Sequence, residues 1–144
     1  MPTAQDILNR KGSDVATIGA SSHVLDAAKL MNERRIGALV VTRGDRVVGI
    51  FTERDILNRI VAAGKDPAGT PVEEVMTTPM ACCRRDTLLS QCKSIMTAKR
   101  IRHLPVVEEG KLYGMISSGD ILAGECDDRQ ATIEYLHEYL FGHR

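Results

Sequence analysis

Gly49-Ile50-Phe51-Thr52-Glu53-Arg54-Asp55-Ile56-Leu57 returns 65 residues later as Gly114-Met115-Ile116-Ser117-Ser118-Gly119-Asp120-Ile121-Leu122. The stretch ahead of it returns at the same interval. Arg35-Ile36-Gly37-Ala38-Leu39-Val40-Val41 becomes Arg100-Ile101-Arg102-His103-Leu104-Pro105-Val106. No gap is needed from Val15/Met80 to Leu57/Leu122. Such a repeat marks a duplicated supersecondary unit whose apolar face is buried against its twin. In 144 residues, two independent domains would each be marginal, whereas one shared core is feasible. The repeat therefore predicts an α+β body of two subdomains related by a pseudo-twofold axis.

Outward from the quoted stretch, apolar runs and breakers give each unit the order strand, helix, strand, strand, helix. In the first unit the expected elements are a short leading helix at 4–9, a strand at 15–18 and a helix at 24–34 capped by Ser21 or Ser22. Strands at 38–42 and 47–52 follow, turning at Gly44, and then a helix at 53–63 stopped by Gly64. Residues 65–71 read as a linker. The second unit repeats the order, with a strand at 80–83, a helix at 88–98 capped by Asp86, strands at 104–107 and 112–117, and a closing helix from Ile121. The expected units are 1–70 and 71–127, with a helical extension at 128–144 carrying Ile133, Leu136 and Leu140 on one face. That extension reads either as a docking helix or as a simple cover.

Charge is balanced, with 19 basic and 19 acidic residues, which points away from nucleic acid and anionic membrane as partners. No apolar run approaches membrane-spanning length, and no signal peptide is visible, so the cytoplasm is the expected compartment. Cys82, Cys83, Cys92 and Cys126 match no zinc or redox spacing, and Cys92 falls on an apolar helix face. The four histidines share no metal spacing. Neither a nucleophile elbow nor a Gly-rich phosphate loop is present, so no catalytic centre and no metal are expected.

Gly-x-x-Thr/Ser-x-x-Asp at a strand-to-helix junction, found twice in register and each time preceded by Arg-Ile-x-x-Leu-x-Val, resembles the cystathionine-beta-synthase (CBS) domain. The whole chain resembles a stand-alone tandem pair, a Bateman module. The resemblance implies a regulatory, non-catalytic module binding AMP, ADP, ATP or NAD in clefts between the paired domains. It also implies a homodimer and an unidentified regulated partner. Its runner-up is an interaction module with degenerate pockets.

Read locally, Thr52 with Asp55 and Ser117 with Asp120 are helix caps. The resemblance adds a ligand: each carboxylate becomes a candidate ribose contact, and each hydroxyl a candidate phosphate contact. Arg54 is either a phosphate clamp or a solvated surface arginine, and its counterpart is Gly119. Arg102 and His103 replace Gly37 and Ala38, so the second half carries cationic groups where the first carries small ones. Either can meet phosphate, although His103 can equally be structural. Pro105 lacks an N–H and limits pairing at its strand edge, which leaves a backbone face for adenine. The resemblance also places Thr17-Ile18 and Cys82-Cys83 in the base pocket. The two pockets are expected to differ.

Overall fold

The computed structural model describes residues 1–126. The predicted extension at 128–144 lies outside them. The elements are α1 (Ala4–Lys11), β1 (Thr17–Gly19), α2 (Val24–Arg34), β2 (Ala38–Arg43), β3 (Arg46–Thr52), α3 (Glu53–Asp55), α4 (Val72–Val75), α5 (Leu89–Lys99), β4 (His103–Glu108), β5 (Lys111–Ser117) and α6 (Ser118–Cys126). A π-helical segment, Ile56–Val61, continues α3 where the sequence pattern predicts an ordinary helix.

The strands form two sheets, one per half. In the first, β1 runs parallel to β2, and β2 pairs antiparallel with β3. In the second, β4 and β5 form the same hairpin. The 65-residue interval holds down to local irregularities. Leu39 opposes Phe51 as Leu104 opposes Ile116, and the register slips after Val41 in one hairpin and after Val106 in the other. Arg35 and Arg100 both end their helices in the left-handed region at φ 54°. In both, the next amide closes the turn, from Ile36 to Met31 and from Ile101 to Met96, each at 3.0 Å.

One element breaks the match. The first half has a three-residue β1, but its counterpart is reduced to a single bridge, Cys83 to Val106. At one end Arg85 N–H donates to Glu108 Oε1 at 3.2 Å, where Ala20 N–H in the first half donates to the Thr42 carbonyl at 2.9 Å; at the other end proline explains the loss. Val40 N–H donates to the Ala16 carbonyl at 3.2 Å. Pro105 stands at the matching position and has no N–H to give to Ala81. The caps expected at Ser21 or Ser22 and at Asp86 are likewise replaced: His23 and Leu88 occupy the N-cap positions without a side-chain cap.

Two apolar cores result, and each half lends a helix to the other. Leu39, Val41, Phe51, Val24 and Met31 of the first half pack with Val72, Val75 and Met76 from α4 and its exit. Leu104, Val106, Ile116, Cys92 and Met96 pack with Ala4, Ile7 and Leu8 from α1. Burial of each such large side chain contributes roughly 1.5–3 kcal/mol. Backbone hydrogen bonds fix the exchange. Val72 and Glu73 donate to Ser22 and Ala20, while Ala4 and Gln5 donate to Thr87 and Arg85. Here the interval is 68 residues, which places Leu8 opposite Met76 in the symmetry. Those two side chains cover Gly114 and Gly49. A Cβ at Gly49 would sit 2.7 Å from Met76 Sδ and 2.9 Å from the Thr77 carbonyl, and one at Gly114 would collide with Leu8.

Candidate functional site

The site is built at the ends of β3 and β5, where the chain turns into α3 and α6. Thr52 Oγ1 accepts from Asp55 N–H at 3.3 Å, and Asp55 Oδ2 accepts from Thr52 N–H at 3.0 Å. Ser117 Oγ accepts from Asp120 N–H at 3.1 Å, and Asp120 Oδ2 accepts from Ser117 N–H at 2.8 Å. Both are reciprocal capping boxes, and both carboxylates offset the positive end of a helix. The strand-to-helix corner is also tied to the neighbouring strand's start. Glu53 N–H donates to the Gly37 carbonyl at 3.0 Å and Ser118 N–H to the Arg102 carbonyl at 2.9 Å. The capping role read from the sequence thus holds in both halves.

The surroundings of the two carboxylates differ. Asp55 is 5% exposed. Its Oδ1 accepts from Thr77 Oγ1 at 3.0 Å and faces Arg59 Nε at 3.7 Å. Thr77 is held by backbone hydrogen bonds in both directions with Ile50, at 2.8 and 3.1 Å. In the second half a side chain does this work. Lys11 Nζ donates to Asp120 Oδ2 at 2.7 Å and to the Met115 carbonyl at 3.0 Å. Met115 is the counterpart of Ile50, so one ammonium stands where the first half has a backbone amide and a hydroxyl. Among the described residues, no donor meets Asp120 Oδ1. Burial raises the Asp120 pKa, but the hydrogen bonds from Lys11 and Ser117 outweigh it and hold the carboxyl below its ordinary value.

The two halves meet beside this point. A Cβ on Gly37 would fall 2.8 Å from Glu53 Oε1 and 3.5 Å from His103 Cε1, so His103 faces the first half's Gly37 and Glu53. Burial lowers the His103 pKa; Lys11 and Arg102 lower it further, against opposition from Glu53 and Asp120. These charged groups therefore surround one imidazole. Arg54 does not point freely into a cleft: its guanidinium donates to the Arg100 carbonyl at 3.4 Å, tying the first half to the end of α5. Arg102 is exposed, Thr17 and Cys82 are exposed, and Ile18 is half-buried against the first core. Pro105 is fully buried, and its carbonyl accepts from Cys83 N–H at 2.9 Å. Cys83 and Cys92 lie in the second core, and the hydrogen bond to Cys92 together with burial pushes the Cys83 thiol up, keeping it protonated.

Sequence reading missed Lys11 and Thr77. Both lie outside the stretch that repeats at 65 residues, so the motif gave no pointer to them. A cavity of about 410 Å³ lies away from the paired carboxylates. It is lined by Arg84, Arg85, Val107, Glu108, Glu109 and Tyr113. Arg85 fills much of its chemistry, stacked 4.0 Å above the Tyr113 ring and held by Glu108 at 2.7 Å. Among the described residues no group of three His, Cys, Asp or Glu side chains could hold a metal ion, and no helix is long and apolar enough to cross a membrane.

The CBS-domain family model matches residues 4–62 and 72–125. The chain is 31% identical to "CBS domain-containing protein CBSX3, mitochondrial" of Arabidopsis thaliana, over 97% of this chain and 72% of that one. It is 32% identical to "CBS domain-containing protein YhcV" of Bacillus subtilis, over 83% and 84%. A solved structure of a putative signal-transduction protein with CBS domains from Burkholderia ambifaria superposes with a TM-score of 0.84 at 39% identity, covering 89% of this chain and 96% of that one. CBS domains are non-catalytic regulatory modules. With two matches in register and the helix-strand-strand-helix order in both halves, led by β1 in the first and by the Cys83 bridge in the second, the chain belongs to the CBS-domain family as a tandem pair.

Proposed function

We propose that this CBS pair binds one adenine nucleotide per chain (AMP, ADP, ATP or NAD) at its second half, and that binding regulates how the module contacts a partner. The observation that carries this reading is Asp120. Its carboxylate is ionised, partly open and has one oxygen without a donor among the described residues. A ribose diol needs such an acceptor. Around it stand Lys11, Arg102 and His103, which supply positive charge or donors for phosphate. Pro105 leaves the Ala81 carbonyl without its strand partner, a backbone acceptor for an adenine amino group, and exposed Cys82 borders it. Ser117 completes the second site. Thr17, Ile18, Thr52, Arg54 and Asp55 form its first-half counterpart, where Thr77 already fills the carboxylate. That closure favours a structural role for the first pocket.

Isothermal titration with AMP, ATP and NAD tests the reading. One dominant site per chain is expected. Two equal sites, or no heat and no thermal shift with any of the three, would defeat it.

The regulated contact includes a second copy of the chain. Leu57 and Leu122, counterparts in the repeat, are 59% and 61% exposed, and Val61 beside Leu57 is 67% exposed. Burial of these side chains in a homodimer contributes at roughly 25 cal/mol per Å² before association costs. A persistent monomer at tens of micromolar in analytical ultracentrifugation would exclude it.

A further inference from the structure

We propose that Lys11 is a gate on the second-half site: it holds Asp120 when the site is empty and passes to the phosphate when a nucleotide's diol takes the carboxylate. This rests on the nucleotide reading above and adds a residue, a direction of movement and a ligand preference to it.

The comparison between halves carries the argument. Thr77 reaches Asp55 with a short β-branched side chain on a backbone that is itself paired with Ile50, so its hydroxyl has little reach and stays beside the carboxylate. Lys11 reaches Asp120 only through its side chain, a flexible four-carbon stem. The ion pair is partly exposed, at 36% for Lys11 and 22% for Asp120, and pairs of that kind are weak enough to exchange. A cis-diol binding both carboxylate oxygens competes with Lys11 for Oδ2, because Oδ2 already accepts from Ser117 N–H. The displaced ammonium keeps its charge and its hydrogen bond to the Met115 carbonyl but loses its anionic acceptor. A phosphate on the same ligand supplies one, while an unphosphorylated nucleoside does not. The gate therefore favours the nucleotide over the nucleoside. Lys11 is in the last turn of α1, the helix whose Ile7 and Leu8 are packed into the second half's core. Its release thus reaches an element outside the pocket.

The test titrates AMP and adenosine into the full chain, its Lys11→Met variant and its Lys11→Arg variant. The parent should prefer AMP. In Lys11→Met, AMP should weaken by about tenfold, the loss expected for a charge-assisted contact, while adenosine binds as tightly as before or more so. Lys11→Arg should restore part of the preference. An unchanged AMP-to-adenosine ratio in Lys11→Met overturns the gate and leaves the nucleotide site standing. Binding of neither compound by the parent or by Lys11→Met overturns both. A second measurement needs no substitution. Acetic anhydride labelling of the parent, read by mass spectrometry, should find Lys11 protected when the protein is free or saturated with AMP, and more reactive when it is saturated with adenosine. Equal reactivity in all three states overturns the gate.

Discussion

Asp55 and Asp120 occupy the same point of the repeat, three residues past a strand-ending hydroxyl, yet their neighbours give them different work. Asp55 is closed in by Thr52, Thr77 and Arg59 and is 5% exposed. Asp120 meets Ser117 and, through a long side chain from α1, Lys11. The capping box is inherited by both halves because it is local, needing only a hydroxyl and a carboxylate three residues apart. Whether that box is structural or available to a ligand is decided by what the other half's helix brings to it. Duplication alone would have given two equal pockets. The exchange of α1 and α4 between halves, at an interval of 68 rather than 65 residues, breaks that equality.

The exchange itself gives the largest expected effect. Leu8→Ala should destabilise the fold by about 2–5 kcal/mol, because it empties a buried site over Gly114 in a core that belongs to the other half. Met76→Ala is the matching change in the first half and should cost less within the same range, since the flexible thioether fits its site less tightly than a branched side chain. Equilibrium denaturation in urea compares them. If Leu8→Ala costs under about 0.5 kcal/mol, the level of a surface change, α1 is not part of the second core.

Next come the carboxylates. Asp55→Ala strands the Thr77 hydroxyl and the Thr52 amide in a partly buried place, and should cost about 1–3 kcal/mol of stability. Asp120→Ala removes a partly exposed cap and should cost less than about 1 kcal/mol. Nucleotide binding should run the other way, with Asp120→Ala losing roughly tenfold or more in affinity and Asp55→Ala little. Melts beside titrations would check both. Equal stability losses with unchanged binding would make both aspartates caps and nothing more.

Much of this was legible in the chain. The hairpins, the caps at Thr52 and Ser117 and the buried Cys92 depend on near neighbours and on a repeat that keeps its register. Pro105 was legible too, because a missing N–H is a property of the residue itself. Lys11, Thr77 and the pairing of Arg54 with the Arg100 carbonyl were not. Each is a contact between halves, set by how the two units dock, and no local spacing encodes that. The short α4 was also hidden, since four residues of Val72–Val75 make too brief a period to distinguish from a linker.

A smaller effect follows from His103, whose counterpart Ala38 carries no titrating group. Burial, helped by Lys11 and Arg102, depresses the His103 pKa in the folded state. Between that value and the ordinary 6.5 of an unfolded histidine, the unfolded chain binds more protons, so stability rises with pH. The contribution is complete above about pH 6.5 and is lost as pH falls through the folded value. Melting temperature measured from pH 8 down to 5 should fall in that window, and His103→Ala, which copies the first half, should flatten the slope. An unchanged slope would assign the pH response to other groups.

The smallest effect in energy is the most direct probe of why the halves differ. Pro105→Val copies Val40 and restores an N–H opposite the Ala81 carbonyl. The new hydrogen bond should contribute about 0.5–1.5 kcal/mol, but removing a proline frees the unfolded chain by about 0.4–1 kcal/mol, so the net change is near zero. Stability is therefore the wrong readout, and amide exchange is the right one. In the variant, the amide at position 105 should exchange slowly, as Val40 does in the parent. If the Ala81 carbonyl serves adenine, nucleotide affinity should fall in the same variant, because its acceptor is now partly engaged. A slow amide with undiminished affinity would show that the shortened strand is only a consequence of proline and not part of the site. A fast-exchanging amide would mean that something other than the missing N–H holds Ala81 away from β4.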